Sequence, residues 1–325
     1  MLSKTLNDLC VLLSTPYDKL NVIPNNYDLD NSILEEIYFK KLFNFKWRKK
    51  LNSSFKNFQF DYNYKLLQKN ATFIKIKLNL NISFVVQNFP NNVFSSCIHE
   101  YIIFLYHSND KFKIQFLIEN EENPILYDYL LKTDLSYIDT LIFSENQSLC
   151  SDKLPSIDLL YEKFNGSRFF SNNIIKNRAS NFNIGKACMY AETFALNSNP
   201  NYNSFEGIGG DCTNFASQIL YAGGIKQSKS WAPYTDAWIR CEDLYVYLTQ
   251  NKLATKLTNQ NSLSKGCLIQ FYTPSIGRFF HNGFITYELE NNDYLYCCHS
   301  YSKLNYPLSE IYPNRYPTLR ALEIN

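Results

Sequence analysis

The chain has 325 residues, of which 45% are hydrophobic and 16% aromatic, with a formal net charge of +2. That length exceeds one ordinary core and sets an expectation of two domains of about 150 residues each, with ample apolar material for both. The near-neutral charge excludes the broad basic field by which a chain holds nucleic acid or an anionic membrane, so no nucleic-acid partner is expected.

Residues 1–30 form an N-terminal segment whose apolar run Leu9-Cys10-Val11-Leu12-Leu13 lies between Asp8 and Ser14-Thr15-Pro16. The run is too short for a signal-peptide core, and no stretch approaches the roughly 18 apolar residues of a membrane span. A cytoplasmic location with no membrane span is therefore expected. The nine cysteines are odd in number, spread from Cys10 to Cys298 without paired metal-type spacing, and accompanied by only four histidines. This is the pattern of a reduced intracellular chain with free thiols. Cys297 and Cys298 would point to opposite faces of a strand and are poor candidates for one shared metal. Neither a metal nor an organic cofactor is expected.

Residues 31–150 read as a helix followed by an antiparallel sheet. The spacing of Ile33, Leu34, Ile37, Tyr38, Leu42 and Phe45 predicts one long helix over 31–51, opened by Asp30 or Asn31 and closed by a basic tail. From Asn57 the period changes to two: Phe58, Phe60, Tyr62 and Tyr64 alternate, as do the apolar residues of Phe73–Val86, and 101–106 and 112–118 follow as strands. Lys75 and Lys77 between isoleucines suggest a sheet with one wet face. Residues 151–183 read as a helical connector over 154–170 and an Asn- and Ser-rich linker over 171–183.

The last domain is placed at 184–325, with helices first and strands after. Helices are expected over 185–197, from Cys212 to the stop signal Gly223-Gly224, and over 241–253; strands are expected over 267–272, 283–289 and 294–300. Cys212 thus falls on a helix, and His281 and His299 on the later strands.

The run Gly209-Gly-Asp-Cys-Thr-Asn-Phe-Ala-Ser-Gln218 delivers a cysteine onto the start of a helix. The glycines permit backbone angles closed to other residues, and Asp211 is a good N-cap. Cys212 then sits where unpaired N–H groups and the helix dipole favour a thiolate. The competing reading is a small apolar residue on a buried helix face. Hydrolysis by cysteine needs a thiolate, an imidazole to exchange its proton and a polar group to fix the imidazole tautomer. His281 and His299 share the domain of Cys212 and are the candidates. His99 and His107 fall on or beside a strand of the first domain and read as surface or edge residues. The Cys212 N–H is the expected oxyanion donor. Thr213, Asn214 and Ser217 either touch substrate or bond locally, and Gln218 braces a neighbouring loop. Trp231, Tyr234 and Trp238 either wall a substrate groove or pack their loop onto the core.

A further signal is a resemblance. Tyr190-Ala191, Asn199-Pro-Asn-Tyr202, Gly210-Asp-Cys-Thr-Asn-Phe-Ala-Ser-Gln218, Ala222-Gly-Gly-Ile225 and Trp231 together resemble the bacterial "putative amidase" domain, a family related to NlpC-type and CHAP-type cysteine hydrolases. The resemblance runs from about Gly185 to Leu308. It implies an α+β, papain-like fold that cleaves amide bonds, with Cys212 as nucleophile, His281 as general base and His299 as the third polar position. Asp211, Asn214 and Trp231 are the positions expected to bind substrate. The implied substrate is a peptide amide or a peptidoglycan stem peptide. Family members often carry an N-terminal cystatin-like domain, which the helix and strands of 31–118 resemble. Two departures stand out: Gly266-Cys267 where the family has Gly-Asp, and Asn282 where it has Ser or Thr after the histidine. They support a second reading, a non-catalytic binding module that keeps the cleft. Acyl transfer to an amine in place of water is a third.

Overall fold

A computed structural model describes residues 2–22, 27–53, 55–86, 94–108, 111–134, 157–170, 182–205, 210–258, 262–274, 276–289, 293–313 and 315–325. The chain divides into two compact units, Met1–Tyr161 and Glu162–Asn325. Both are mixed helix and antiparallel sheet. Of the connector and linker expected over 151–183, residues 151–156 and 171–181 lie outside the described residues, as does Gly209 of the cysteine turn.

In the first unit, helix α1 (Leu2–Ser14) buries Leu6, Leu9, Cys10 and Leu12. The apolar run near the N-terminus is thus one face of a core helix. Helix α2 (Asn31–Lys50) starts at Asp30, whose carboxylate accepts from the Ser32 N–H at 3.2 Å and the Ser32 hydroxyl at 2.9 Å. It buries Ile33, Ile37, Phe43 and Trp47. Strands β1 (Phe55–Lys69), β2 (Phe73–Val86), β3 (Phe94–Ser108) and β4 (Lys111–Glu119) form an antiparallel meander in that order. From Ile76 to Ile82 the side chains of β2 alternate between buried and half-buried, as expected for one wet face. Lys75 departs from this: it is buried, and its ammonium donates to the Thr133 carbonyl at 2.7 Å. His99 does not lie on an edge strand, because β3 is paired on both sides. Helix α3 (Pro124–Lys132) follows, with Pro124 in its first turn and Asn123 accepting from the Leu126 N–H at 3.0 Å. Helix α4 (Ile157–Phe170) runs across the boundary between the units.

The second unit opens with α5 (Ile184–Phe194), capped by Asn183 through the Lys186 N–H at 2.9 Å. Helices α6 (Cys212–Ala222), α7 (Asp236–Ile239) and α8 (Cys241–Gln250) follow. The six-stranded antiparallel sheet comprises β5 (Ala254–Lys256), β6 (Leu268–Thr273), β7 (Arg278–Glu288), β8 (Tyr294–Cys298), β9 (Lys303–Pro307) and β10 (Leu319–Ile324). Its order is β5-β10-β6-β7-β8-β9. Three of these strands match the expected ones; β5, β9 and β10 are additional. The C-terminal strand is drawn between β5 and β6, and such long-range pairing leaves no local mark in sequence.

Helices α6 and α8 pack on β7. Register pairs Gln270 with Asn282 and Phe271 with His281, and a bulge sits between Phe271 and Tyr272 opposite Phe279–His281. Because side chains alternate across a sheet, Asn282 and Gln270 share one face while His281 and Phe271 share the other. The latter face holds the core of Ile269, Phe271, Ile285 and Tyr296. Between Ile269 and Tyr296 there is no room for a side chain at Gly283, where a Cβ would meet the Tyr296 ring at 2.8 Å.

Candidate active site

Cys212 is the first residue of α6 and is 6% exposed. The chain reaches it through Gly210, whose φ of +97° belongs to the left-handed region, and a Cβ there would lie 3.1 Å from the Ser300 hydroxyl. That hydroxyl accepts from the Asp211 N–H at 2.6 Å, tying the entrance of α6 to the turn after β8. The Phe215 N–H is bonded to the Asp211 carbonyl at 2.9 Å, so helix geometry leaves the N–H groups of 212–214 without an intrahelical acceptor. They form the positive end of the helix, with Cys212 at its tip.

The Cys212 thiol donates to the Phe280 carbonyl at 3.7 Å and lies 3.8 Å from the Thr213 hydroxyl. Its helix therefore meets β7 at the residue preceding His281. The His281 ring is 7% exposed, stacks on Phe271 at 5.5 Å and meets Tyr301 edge-on at 5.7 Å. Among the described residues it has no hydrogen-bond partner, the Cys212 thiol included. Burial, followed by the nearby Lys303 ammonium, holds its pKa down to about 3, so the ring is neutral at physiological pH. The structure brings the cysteine to the strand of His281, with the sulfur beside the Phe280 carbonyl.

His299 lies just beyond β8 and takes another position. Its Nδ1 is 2.6 Å from Asp211 Oδ2, its Nε2 is 2.7 Å from the Phe194 carbonyl, and its ring lies flat on Phe215 at 3.8 Å. A carbonyl can only accept, so Nε2 carries a proton. Asp211 Oδ1 accepts from the Phe205 N–H at 2.9 Å and from Asn214 Nδ2 at 2.8 Å. His299 and Asp211 thus form a buried hydrogen-bonded pair through Nδ1 and Oδ2. Asp211 precedes α6 at the N-cap position, but its side chain makes no capping bond to the helix N–H groups. His299, 88 residues away, takes the Asp211 side chain instead.

Asn214 is 1% exposed and committed at both ends, donating to Asp211 and to the Asn203 carbonyl at 2.9 Å and accepting from Trp238 Nε1 at 2.8 Å. Trp231 is wholly buried, donates to the Ser217 hydroxyl at 3.2 Å and stacks on Tyr247. Of the two sequence readings for Trp231, the structure has the one in which it packs the loop onto the core. Gln218 accepts from the Tyr190 hydroxyl at 2.7 Å, which in turn accepts from Asn199.

A second polar chain leaves Cys212 on the other side. Asn282 donates to the Thr213 hydroxyl at 2.8 Å and accepts from Gln270 at 2.8 Å. Gln270 also donates to the Cys241 carbonyl and accepts from Arg320 Nε at 2.7 Å. Arg320 continues to Glu242 at 2.9 Å, and Glu242 accepts from the Phe279 N–H at 3.1 Å. Sequence reading missed Gln270, Glu242 and Arg320. The only signal for Gln270 and Arg320 was a polar side chain inside an otherwise apolar strand; Glu242, in the first turn of α8, gave none. Asn282, a departure from the family pattern, is here the link between β7 and the cysteine helix. Cys267, the other departure, is buried with its thiol 3.5 Å from the Ser264 hydroxyl.

Among the described residues no group of three or more His, Cys, Asp or Glu could hold a metal ion, and no helix is long and apolar enough to cross a membrane. Residues 181–319 match the family model described as "Putative amidase domain". Two curated proteins of Bacillus subtilis (strain 168) are similar to part of the chain. "Uncharacterized protein YjcM" is 33% identical over 130 residues, covering 37% of this chain and 31% of that protein. "Uncharacterized protein YhbB" is 27% identical over 128 residues, covering 35% of this chain and 40% of that protein. The chain thus spans well under half the length of these relatives. No solved structure matches it. The segment carrying Cys212, His281 and His299 is accordingly similar to an amidase-domain family, which suggests amide hydrolysis.

Proposed function

We propose that the second unit is a papain-like, cysteine-dependent hydrolase of amide bonds in peptides, of the peptidoglycan stem-peptide class, acting through a thioacyl intermediate. One observation carries this reading: Cys212 stands at the N-terminal tip of α6, beside the backbone of β7 and inside the segment matching the amidase family; the His281 ring lies on the sheet face opposite Asn282 and must turn toward the sulfur to act. Cys212 Sγ adds to the amide carbonyl carbon, His281 receives the thiol proton and gives it to the leaving amine, and the C–N bond breaks. Water, deprotonated by His281, then displaces the sulfur. The helix-start N–H groups face the developing oxyanion. A neutral imidazole is the form a proton acceptor requires, and a thiolate beside it would raise its proton affinity. His299, Asp211 and Asn214 serve as positioning residues, fixing the start of α6 from behind, and Trp231 braces the middle of that helix through Ser217. NlpC- and CHAP-type hydrolases and a cytoplasmic site of action belong to the same reading, as does a cystatin-like first unit.

The second reading, a binding module that keeps the fold without turnover, is favoured by one observation: the Cys212 thiol bonds to Phe280 and not to the His281 ring. Incubation with a panel of peptide p-nitroanilides, with intact-mass detection of an acyl group on Cys212, separates the two. Release of nitroaniline together with an adduct lost in Cys212→Ala supports the hydrolase; neither signal at any pH from 5 to 9 supports the module.

A further inference from the structure

A second cysteine is wired to a histidine in the first unit. Cys97 and His99 are two residues apart on β3 and so share a face. Cys97 Sγ lies 3.0 Å from His99 Nε2, and His99 Nδ1 lies 2.5 Å from Glu119 Oε1 on β4. Glu119 is buried and also receives the Lys40 ammonium of α2, which bridges to Glu122. A nucleophile hydrogen-bonded to a base, with the base held by a carboxylate, is the geometry of a catalytic triad. The residues line a cavity of about 820 Å³, within the range of small-molecule sites.

We propose that Cys97, His99 and Glu119 form a second nucleophilic site, independent of Cys212, that takes a small amphiphilic ester carrying an anionic group.

Electrostatics supports a protonated His99 beside the Cys97 sulfur. Burial pushes His99 down, but Cys97 and Glu119, by charge and hydrogen bonding, outweigh it and raise the pKa to about 10. The cavity wall supports the ligand's character. Aromatic and aliphatic side chains such as Phe55, Phe84 and Ile37 provide apolar surface. Six lysines and arginines face four carboxylates, and two of those carboxylates are already held by Lys40. Lys41 donates to the carbonyls of Leu13 and Thr15 at 2.8 and 2.7 Å. Burial, then repulsion from Lys40 and Arg48, holds its pKa down to about 7, so an anion beside it would favour its charged form.

In the reaction, the Cys97 thiolate adds its electron pair to the ester carbonyl carbon. The bond to the alkoxy oxygen breaks, and His99 Nε2 gives its proton to that oxygen, leaving a thioester on Cys97. Neutral His99 then takes a proton from an attacking water, the acid departs, and the thiolate and imidazolium are restored.

The test uses the full chain with two activated esters, the mono-4-nitrophenyl ester of succinic acid and neutral 4-nitrophenyl acetate, and locates acyl groups by peptide mass spectrometry. The Cys97 peptide should carry the succinyl group, at least tenfold faster than the acetyl group after correction for the esters' reactivity with free cysteine. His99→Gln should slow this at least tenfold. No acyl group on Cys97, or equal acylation in His99→Gln, would overturn the proposal. Should that variant fail to fold, the wild-type pH profile of Cys97 alkylation decides: a rate nearly flat from pH 6 to 8 supports the site, and a tenfold rise per pH unit refutes it. The readout is specific to one peptide, so failure here is distinct from failure of the Cys212 reading.

Discussion

Asp211→Asn tests whether a buried ion pair holds the start of α6. Asp211 is 1% exposed, accepts two N–H bonds and faces the His299 ring, whose other nitrogen is occupied by the Phe194 carbonyl. If the pair is charged, the amide keeps the shape but strands a buried cation. Breaking such a pair costs about 3–5 kcal/mol. For a unit of this size that corresponds to a loss of about 6–20 °C in Tm, at roughly 2–4 °C per kcal/mol. Calorimetry of wild type, Asp211→Asn, His299→Gln and the double variant closes a thermodynamic cycle. The double variant should lose clearly less than the sum of the singles, with a coupling of about 1–3 kcal/mol. Singles costing under 1 kcal/mol, or losses that add within 0.5 kcal/mol, would show that the two groups are not a charged pair.

Other consequences are equally direct. His281 has a folded pKa of about 3 against an ordinary value of 6.5. Above pH 6.5 it is neutral in both states and contributes nothing; as pH falls the unfolded chain takes up the proton first, so stability drains away between pH 6.5 and 3, by up to about 5 kcal/mol. In denaturant titrations across that window His281→Gln should lose correspondingly less than wild type, and parallel losses would refute the buried neutral ring. Arg320→Met removes the cation joining Gln270 to Glu242 and should destabilise the second unit by about 3 kcal/mol; an unchanged urea midpoint would deny the network its role. Gly210→Ala combines strain at φ +97° with a close approach to the Ser300 hydroxyl and should cost about 1–2 kcal/mol. A gain in Tm would contradict the assigned turn.

The fold was legible where signals are local. The 3.6-residue spacing after Asp30 marks α2, the alternation of Ile76, Leu78 and Leu80 marks β2, and Gly210-Asp211-Cys212 before an apolar helix marks the cysteine's position. What sequence could not show depends on long-range register. Asp211 reads as a helix cap because Asp commonly is one; its true partner, His299, arrives from the far end of β8. The strand β10 pairs with β6 only because the chain returns across the sheet, and Arg320 becomes part of the Gln270 network by that route. Likewise Glu119 reaches His99 only through the β3–β4 register, with its bulge between Phe104 and Leu105. Trp231 and Asn214 lie in a sequence stretch rich in polar and aromatic groups, which reads equally as a groove or as a satisfied core.

The central claim is that Cys212 and His281 act together. The pH dependence of iodoacetamide alkylation at Cys212, followed by peptide mass spectrometry in wild type and His281→Ala, tests it most directly. The account predicts fast alkylation persisting well below pH 8 and slowed by the substitution. Slow alkylation following an ordinary thiol titration near pH 8.5, unchanged in His281→Ala, would contradict it.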